Sequence, residues 1–534
     1  MSTPTALATV ASSPRAAARR SPSALALVAL AYGLVQLAAV VPWLGLGWDE
    51  SVYVSQTDPH HPAAYFSAPR SRGVTYLTAP LTWLTNNPHA VHLWLALLST
   101  ACLYGAFAAW RPLLGAGRCA LAAGLFASLW TALLYGPQAM PNLWVALGAV
   151  AATGWLLRGA KAAGAGVVGA GVVGAGVVGA GAEVAGGASD GARTGAPEGA
   201  LEGRGPGAAP SVRAWCGVAL AVAGVTLLRL PDGCWLALPL GLACLLHRPL
   251  RRAAPMAAVA GGVVAGAVPW VVEAYGRWGG IGERLRVSSD VQGEMGLRWA
   301  GGDAWLSVNG PLLCRPCDIA PYQPWLTWWW LLLPALALVC AVRGRYGTGR
   351  TARRITVWLP LACALALSLP YLLTLGYSAP RFFLPAYALL APPLATTALD
   401  AARGRRPYLV ALCAGLALYG ASQTTGFWRN LMGARHTTHR YETVAAHLHR
   451  AGIRPPCLIT GAQTPPISYA AGCASGNLAG NNKNLTHAAL HTRTTQIPVA
   501  AITAAHATPP PYARTWHPLP LPGTGLRAWV APRS

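Results

Sequence analysis

Residues 119–157 contain no charged side chain, and this stretch is almost twice as long as one membrane-spanning helix requires. Gly136, Pro137 and Pro141 interrupt its middle, where they favour a turn over a continuous helix. The stretch therefore predicts two membrane spans joined by a tight turn. Only 10% of the 534 residues are charged, against about 25% in soluble domains. This composition excludes an ordinary soluble enzyme.

Similar apolar stretches recur along the chain and predict eleven spans. The stretch 214–246 is too long for one helix, and Arg229–Gly233 divides it. We therefore expect two short helices that meet at a turn near the outer membrane face. The predicted spans are 22–46, 89–110, two within 119–157, two within 214–246, 253–274, 324–342, 355–375, 382–400 and 408–426.

The basic residues indicate the orientation of these spans. The formal net charge is +24, but Lys and Arg form short clusters between apolar stretches. This is typical of a multi-pass membrane protein and argues against a nucleic-acid partner. With the N-terminus in the cytoplasm, the inner segments hold 21 Lys+Arg and the outer loops before residue 427 hold 9. This asymmetry agrees with the positive-inside rule and predicts a plasma-membrane protein.

The predicted fold class is an all-α multi-pass membrane protein with a small extracytoplasmic α/β domain at its C-terminus. We expect a cytoplasmic tail over 1–21, a transmembrane domain over 22–426 and the extracytoplasmic domain over 427–534. Within that last domain, 439–450 is typical of an amphipathic helix and 455–460 of a strand. The Gly-Ala-Gly-Val-Val repeats and the mixed sequence after them predict a flexible cytoplasmic linker over 162–212.

Most acidic residues fall on the predicted outer side, so chemistry that needs a carboxylate belongs there. Asp49 and Glu50 follow the first span directly. They lie in a first outer loop, 47–88. The other candidates for the site in that loop are Tyr53, His60, His61, Arg70, Arg72 and Tyr76. Two other outer turns add Arg229, Asp232, Tyr377 and Arg381. Ionisable groups at such positions are costly and usually functional. Solvation of the acids and snorkelling of the arginines to lipid headgroups are the alternatives.

Carboxylates and guanidinium groups in one outer cavity suit the transfer of a sugar from a polyprenyl phosphate. The phosphate is a good leaving group, and the acceptor hydroxyl needs one general base, which a carboxylate provides. Arg fits the geometry and charge of the phosphate. A glycoside hydrolase would instead use two opposed carboxylates, and the sequence shows no clear pair of that kind.

An inner N-terminus, one span, an Asp-Glu pair and an amphipathic outer loop resemble the GT-C superfamily of membrane glycosyltransferases. The likeness is to the protein O-mannosyltransferase and lipid A aminoarabinose transferase group. It implies that Asp49 is the catalytic base, with Glu50 assisting it or binding a metal. It also implies that Arg70, Arg72, Arg229 and Arg381 bind the donor phosphate, and that Tyr53, His60, His61, Tyr76, Asp232 and Tyr377 line the substrate pocket.

The motif match is limited to about 40 residues, although the architecture covers 22–426. Turns similar to Arg229-Leu-Pro-Asp232 and to Tyr377-Ser-Ala-Pro-Arg381 occur in such enzymes, and Pro80 follows the two basic residues of the first outer loop. The linker over 162–212 departs from the pattern, on the side away from the chemistry.

Four cysteines lie in polar segments on the oxidising outer side, where disulfides form. We expect one bridge between Cys457 and Cys473 and a second, tight bridge between Cys314 and Cys317. A zinc site built from the four is the alternative, although zinc sites usually show cleaner ligand pairs.

The sequence thus predicts a transferase that moves a mannose-type or arabinose-type sugar from a polyprenyl-phosphate donor to an extracytoplasmic glycan, lipid or protein. Membrane lipid surrounds it, no cofactor is certain, and a divalent metal stays open. The alternatives are a transporter or flippase, which would favour ionisable groups near the membrane midplane, and a non-catalytic protein of envelope assembly.

Overall fold

The computed structural model describes residues 23–177, 210–315, 317, 323–346, 351–480 and 482–532. The expected cytoplasmic tail over 1–21 and residues 178–209 of the expected linker lie outside the described residues.

The described part of the chain is mainly α-helical up to residue 450. Long helices alternate with short ones, and the short ones lie chiefly in the outer segments. The helices are α1 Ala24–Ala39, α2 Trp48–Val54, α3 Gly73–Thr82, α4 Pro88–Ala108, α5 Arg111–Leu114, α6 Ala116–Ala127, α7 Trp130–Tyr135, α8 Pro141–Val177, α9 Pro210–Leu228, α10 Leu230–Leu246, α11 Ala253–Trp278, α12 Ile281–Val291, α13 Gly301–Ser307, α14 Trp328–Tyr346, α15 Thr351–Leu373, α16 Leu384–Ala402 and α17 Arg406–Arg450.

Each of the eleven predicted spans overlaps one or more of these helices. Six helical segments are long and apolar enough to cross a membrane: Pro88–Leu114, Pro141–Ala163, Ala253–Trp278, Trp325–Arg343, Arg354–Leu373 and Pro380–Ala402. Four shorter apolar helices accompany them: Ala24–Ala39, Ala116–Ala127, Val212–Leu228 and Leu230–Leu246. The chain therefore has a helical membrane fold, and the number eleven stays a prediction.

Two helices continue past the expected boundaries. The last predicted span and the amphipathic helix at 439–450 belong to one helix, α17, which runs for 45 residues. Pro407 is its one proline, so nothing after its first turn breaks it. Helix α8 continues to Val177, so residues 162–177 of the expected linker are helical. Extending a formed helix is far easier than nucleating one, and this offsets the poor propensity of glycine.

The close packing of α9 against α8 and α11 positions the turn at Arg229. A Cβ atom on Gly262 of α11 would lie 2.7 Å from the carbonyl oxygen of Ala219. Gly266, one turn later, approaches the carbonyl of Ala223 in the same way. Small residues four apart let two membrane helices approach backbone to backbone. Helix α10 begins directly after α9, so Arg229 is extended between them, with φ −153° and ψ 103°.

The C-terminal domain contains a five-stranded sheet, as the predicted α/β domain requires. Strands β1 and β2 are parallel, β3 is parallel to β1, and β5 is antiparallel to both β3 and β4. The end of α17 packs Tyr441, Val444 and Leu448 into the domain core, which joins this domain to the membrane helices. The elements are β1 Leu458–Gly461, α18 Thr464–Ala471, β2 Ala474–Ser475, α19 His487–Gln496, β3 Val499–Ala504, β4 His517–Leu521 and β5 Leu526–Val530, in the order β2-β1-β3-β5-β4.

Candidate active site

Asp49 and Glu50 lie in the first turn of the short helix α2. Gly47 precedes the helix in an extended conformation, and its N–H donates to a Glu50 carboxylate oxygen at 3.0 Å. Carboxylates are favourable at this end of a helix because the unpaired N–H groups carry partial positive charge. The local sequence therefore starts the helix at Trp48 and directs two adjacent carboxylates to different surroundings.

Asp49 lies between two arginines from distant parts of the chain. One oxygen accepts a hydrogen bond from Arg70 at 2.8 Å, and the other accepts from Arg381 at 3.2 Å. The Asp49 side chain is 30% exposed, whereas the Arg70 and Arg381 side chains are 13% and 11% exposed. Arg381 also donates to the carbonyl of Leu312 at 2.9 Å. The Asp49 carboxylate is thus accessible, whereas both guanidinium groups are largely buried.

Glu50 is buried and fully hydrogen-bonded. Its Oε1 faces Nε2 of His92 at 2.9 Å and accepts from the backbone N–H of Ala139 at 2.9 Å, while Oε2 accepts from Gly47. These contacts tie α2 to α4 and to the turn before α8. Because both of its oxygens are already engaged, Glu50 holds the surrounding structure in place, although it is adjacent to Asp49.

Arg72 belongs to a second ion cluster, centred on Glu273 of α11. Its Nε and one terminal nitrogen donate to the same Glu273 oxygen at 3.1 and 2.6 Å, and the other terminal nitrogen donates to Gln56 at 3.0 Å. Arg277 and Arg284 contact Glu273 as well. Among the described residues, the hydrogen bonds of Arg72 go to Glu273 and Gln56 and not to Asp49.

Arg284 is wholly buried and holds the segment that carries Arg70. It donates to the carbonyls of Ala68 at 3.1 Å and Arg70 at 2.8 Å, to the carbonyl of Trp270 at 2.6 Å and to Glu273 at 3.0 Å. A guanidinium group with several fixed donors can organise an irregular loop in this way. It therefore fixes the backbone from which Arg70 reaches Asp49.

Arg229 is held by the acidic residue of its own turn. Its Nε is 3.4 Å from a carboxylate oxygen of Asp232, and Asp232 accepts from the Tyr371 hydroxyl at 2.8 Å. The guanidinium group lies over the ring of Tyr371 at 5.3 Å and near that of Phe382 at 5.9 Å. Its terminal nitrogens have no hydrogen-bond partner among the described residues, and the side chain is 24% exposed. Arg229 therefore has terminal N–H groups that no described residue accepts.

Tyr53 connects the three arginines. Burial raises the pKa of its phenol, and Asp49 adds to this, while the positive charges of Arg70, Arg229 and Arg381 oppose it. Arg70 lies 5.5 Å from the ring centre. With its proton retained at neutral pH, Tyr53 is a hydrogen-bond donor and not a base.

Tyr377 borders the same region. Its ring packs edge-on against Phe382 at 5.8 Å, and Arg315 lies over it at 4.7 Å. It acts electrostatically on Arg229 and Arg381.

The structure does not bring three of the expected pocket residues to Asp49. His60 is exposed, and the Tyr76 side chain is 50% exposed on α3. His61 instead faces the C-terminal domain, where its ring stacks on Tyr469 at 4.4 Å. Its Nδ1 is 2.7 Å from buried Asp58, which also accepts from the Tyr469 hydroxyl at 2.7 Å. Burial and this hydrogen bond raise the pKa of Tyr469.

Both expected cysteine pairs are joined as disulfides. Cys457 and Cys473 link the start of β1 to the end of α18, and Cys314 and Cys317 close a short loop before α14. The backbone of Cys314 also pairs with Ser378, three residues before Arg381. The second disulfide therefore borders the active-site turn, and the four cysteines do not form one cluster.

A metal site at Asp49 and Glu50 does not fit the described geometry. No group of three or more His, Cys, Asp or Glu in the described residues could hold an ion. Glu50 already satisfies both of its oxygens, which leaves Asp49 as a single ligand. We therefore derive no step through a metal.

Sequence reasoning missed the residues that hold the site in place: His92, Glu273 and Arg284. Glu273 was visible as an acid at the end of a predicted span, and Arg284 as a basic residue in an outer segment. These residues contact partners that are distant in the sequence; Arg72 and Glu273, for example, are about 200 positions apart. No local sequence pattern predicts such a contact.

The fold has a counterpart among solved structures. No family model matches the chain, and no curated protein matches it in sequence. The apo structure of ArnT from Cupriavidus metallidurans aligns with a TM-score of 0.60 at 13% identity, covering 95% of this chain and 97% of that one. The structure of the same protein bound to undecaprenyl phosphate aligns with a TM-score of 0.56 at 12% identity, covering 95% and 98%. The chain therefore shares the fold of this ArnT protein over nearly its whole length.

Proposed function

We propose that this protein is a membrane glycosyltransferase that uses a polyprenyl-phosphate sugar as donor. The observation that carries the proposal is the partly exposed Asp49 carboxylate, held by Arg70 and Arg381, together with a third arginine, Arg229, which has unused donors and shares the neighbour Tyr53. ArnT, whose fold the chain shares, has been crystallised with undecaprenyl phosphate. This supports a lipid phosphate as the partner of the arginines here.

The donor phosphate would first meet Arg229. A phosphate oxygen accepts two parallel N–H bonds from a guanidinium group with good geometry. Arg70 and Arg381 then exchange part of their contact with Asp49 for the phosphate. This frees a carboxylate oxygen to accept a hydrogen bond from the acceptor hydroxyl.

The transfer is a direct displacement at the sugar. The acceptor oxygen bonds to the anomeric carbon as the bond from that carbon to the phosphate oxygen breaks. Asp49 takes the hydroxyl proton, and the released polyprenyl phosphate carries the electron pair of the broken bond. The three arginines stabilise the negative charge that grows on the leaving phosphate.

Glu50 and Arg72 have positioning roles in this proposal. Glu50 fixes α2 through His92 and the N–H of Ala139, and thereby fixes the direction of Asp49. Arg72 fixes the loop through Glu273. Phosphate binding by Arg72, which the resemblance implies, would require this buried pair to break.

A cavity of about 540 Å³, which none of Asp49, Arg70, Arg229 and Arg381 lines, could admit the acceptor. It lies between the turn before α2, which contributes Leu46, and the C-terminal domain. Glu442, Asn87, Tyr441 and Tyr469 line it, which offers hydrogen bonds and aromatic faces to a sugar or polar headgroup. We propose that the acceptor enters here, on the outer side of the membrane.

The test is turnover of defined donors in proteoliposomes. Polyprenyl phosphates bearing labelled mannose, arabinose or glucose are supplied with envelope extract as the source of acceptor, and loss of label from the lipid is followed. Wild type should consume one donor, and Asp49→Asn should lower its rate by roughly 10²–10⁴-fold, as expected for a general base. The matched control is Asp290→Asn, an exposed carboxylate that pairs with Arg286.

A second pair of variants tests the phosphate site. Arg229→Ala should raise the KM for donor more than it lowers kcat, whereas Arg286→Ala, an exposed arginine on α12, should change neither. Equal turnover by wild type and Asp49→Asn would remove Asp49 as the base. Movement of intact donor across the bilayer without loss of sugar would replace the transferase with a transporter.

A further inference from the structure

An apolar groove of about 440 Å³ lies between α14 and α17, outside the candidate active site. Leu336 and Val339 form one wall and Leu412 and Leu416 the other, while α6 and α16 form the floor. Small residues such as Ala398 keep the floor low. The walls are open, since Leu336 and Val339 are 42% and 44% exposed. In a membrane this groove faces lipid.

The groove has one charged end. Arg343 is the sole charged residue among the described residues that line it. From Trp329 to Arg343 the helix rises by about 21 Å, most of the ~30 Å hydrocarbon thickness of a bilayer. The aromatic end lies on the side of the active site, because Trp329 packs against Tyr387, which follows Arg381 by less than two turns. Arg343 is therefore at the opposite end.

The surface around Arg343 carries an excess of positive charge. Among the residues that the structure describes here, Asp400 is the acid, and it pairs with Arg118. Arg403, 3.8 Å from Asp400, keeps a side chain that is 71% exposed, and Arg405 lies over the ring of Tyr408. Basic pockets between membrane helices bind anionic lipid headgroups, and a guanidinium group fits a phosphodiester.

We propose that this groove binds one anionic diacyl phospholipid, with an acyl chain between α14 and α17 and the headgroup phosphate at Arg343. The occupant is distinct from the polyprenyl donor, whose phosphate the proposed function places with Arg229 and Arg381 at the other end. This distinction rests on the proposed function, whereas the count of bound lipid is measured without turnover.

The test counts bound lipid by native mass spectrometry of the full-length protein, delipidated in mild detergent and titrated with phosphatidylglycerol or phosphatidylcholine. Wild type should retain one phosphatidylglycerol and prefer it at least about fivefold, which corresponds to one arginine near a lipid headgroup. Arg343→Gln should lose that preference and still hold either lipid weakly. Ala398→Trp, which fills the groove, should lose both.

The matched control is Arg252→Gln, at the exposed N-terminus of α11 and away from the groove. It should bind phosphatidylglycerol as wild type does. Equal binding of the two lipids by wild type would overturn the proposal, as would an Arg343→Gln variant that keeps the preference. Stoichiometric displacement of phosphatidylglycerol by polyprenyl phosphate would also overturn it, because the groove would then hold the donor.

Discussion

Replacing Glu50 by Gln separates the roles of two adjacent carboxylates. The Glu50 oxygens meet three donors: the N–H groups of Gly47 and Ala139, and Nε2 of His92. Gln has the same shape but only one acceptor oxygen, so its NH₂ must face at least one of these donors. A buried donor without an acceptor costs about 1–3 kcal/mol, and each remaining bond loses the strength that the charge gave it. We expect a loss of about 3 kcal/mol in the free energy of unfolding.

The comparison with Asp49→Asn makes the prediction specific. Asp49 is 30% exposed and meets two arginines, so its replacement should cost about 1 kcal/mol or less. Glu50→Gln should lower the apparent Tm of the purified protein by roughly 3 °C, and turnover per folded molecule should stay within about tenfold of wild type. Asp49→Asn should show the reverse: a nearly unchanged Tm and almost no turnover. Thermal unfolding and donor consumption are measured on the same preparations.

One result would refute the reasoning. If Glu50→Gln unfolds at the temperature of wild type but is inactive, Glu50 acts on the reactants or on a bound ion. Its function is then not to fix α2 through buried hydrogen bonds.

Three further predictions follow from buried contacts. Arg284→Met removes four donated bonds and should destabilise the protein by about 3–5 kcal/mol, measured by thermal unfolding; an unchanged Tm would exclude its role as a support for the loop. Tyr469→Phe leaves Asp58 without one of its partners and should loosen the C-terminal domain by about 1.5–3 kcal/mol, seen as faster proteolysis of that domain but not of the membrane helices. Joint replacement of Cys457 and Cys473 by Ala, which opens a loop of sequence separation 16, should cost about 3 kcal/mol. A reductant, which can still act on the Cys314–Cys317 bridge, should then lower the Tm by less than it does in wild type.

The helical membrane fold was predictable because it depends on local composition. The lengths of the apolar stretches and the positions of the arginines predict where most helices begin and end. The turn at Arg229 was predicted because it interrupts one apolar stretch. The structure differs from these predictions where tertiary packing overrides local signals. The polar segment after residue 426 continues α17 because its far end is held in the core of the C-terminal domain by Val444 and Leu448.

The candidate site was predictable in part. Sorting charges by side of the membrane selected Asp49, Arg70, Arg229 and Arg381, and the structure places Asp49 directly between two of these arginines. That sorting could not distinguish Arg70 from Arg72, because they lie two residues apart on the same loop. Their difference comes from Glu273, which lies 201 positions from Arg72 and takes up its donors.

The pairing of charges gives a further reason to expect a phosphate at this site. Arg70 and Arg381 share the single carboxylate of Asp49, whereas Arg229 pairs through its Nε with Asp232. The terminal nitrogens of Arg229 have no hydrogen-bond partner among the described residues, and such N–H groups suit the oxygens of a phosphate. A lipid phosphate that also drew Arg70 and Arg381 away from Asp49 would couple donor binding to the release of the base.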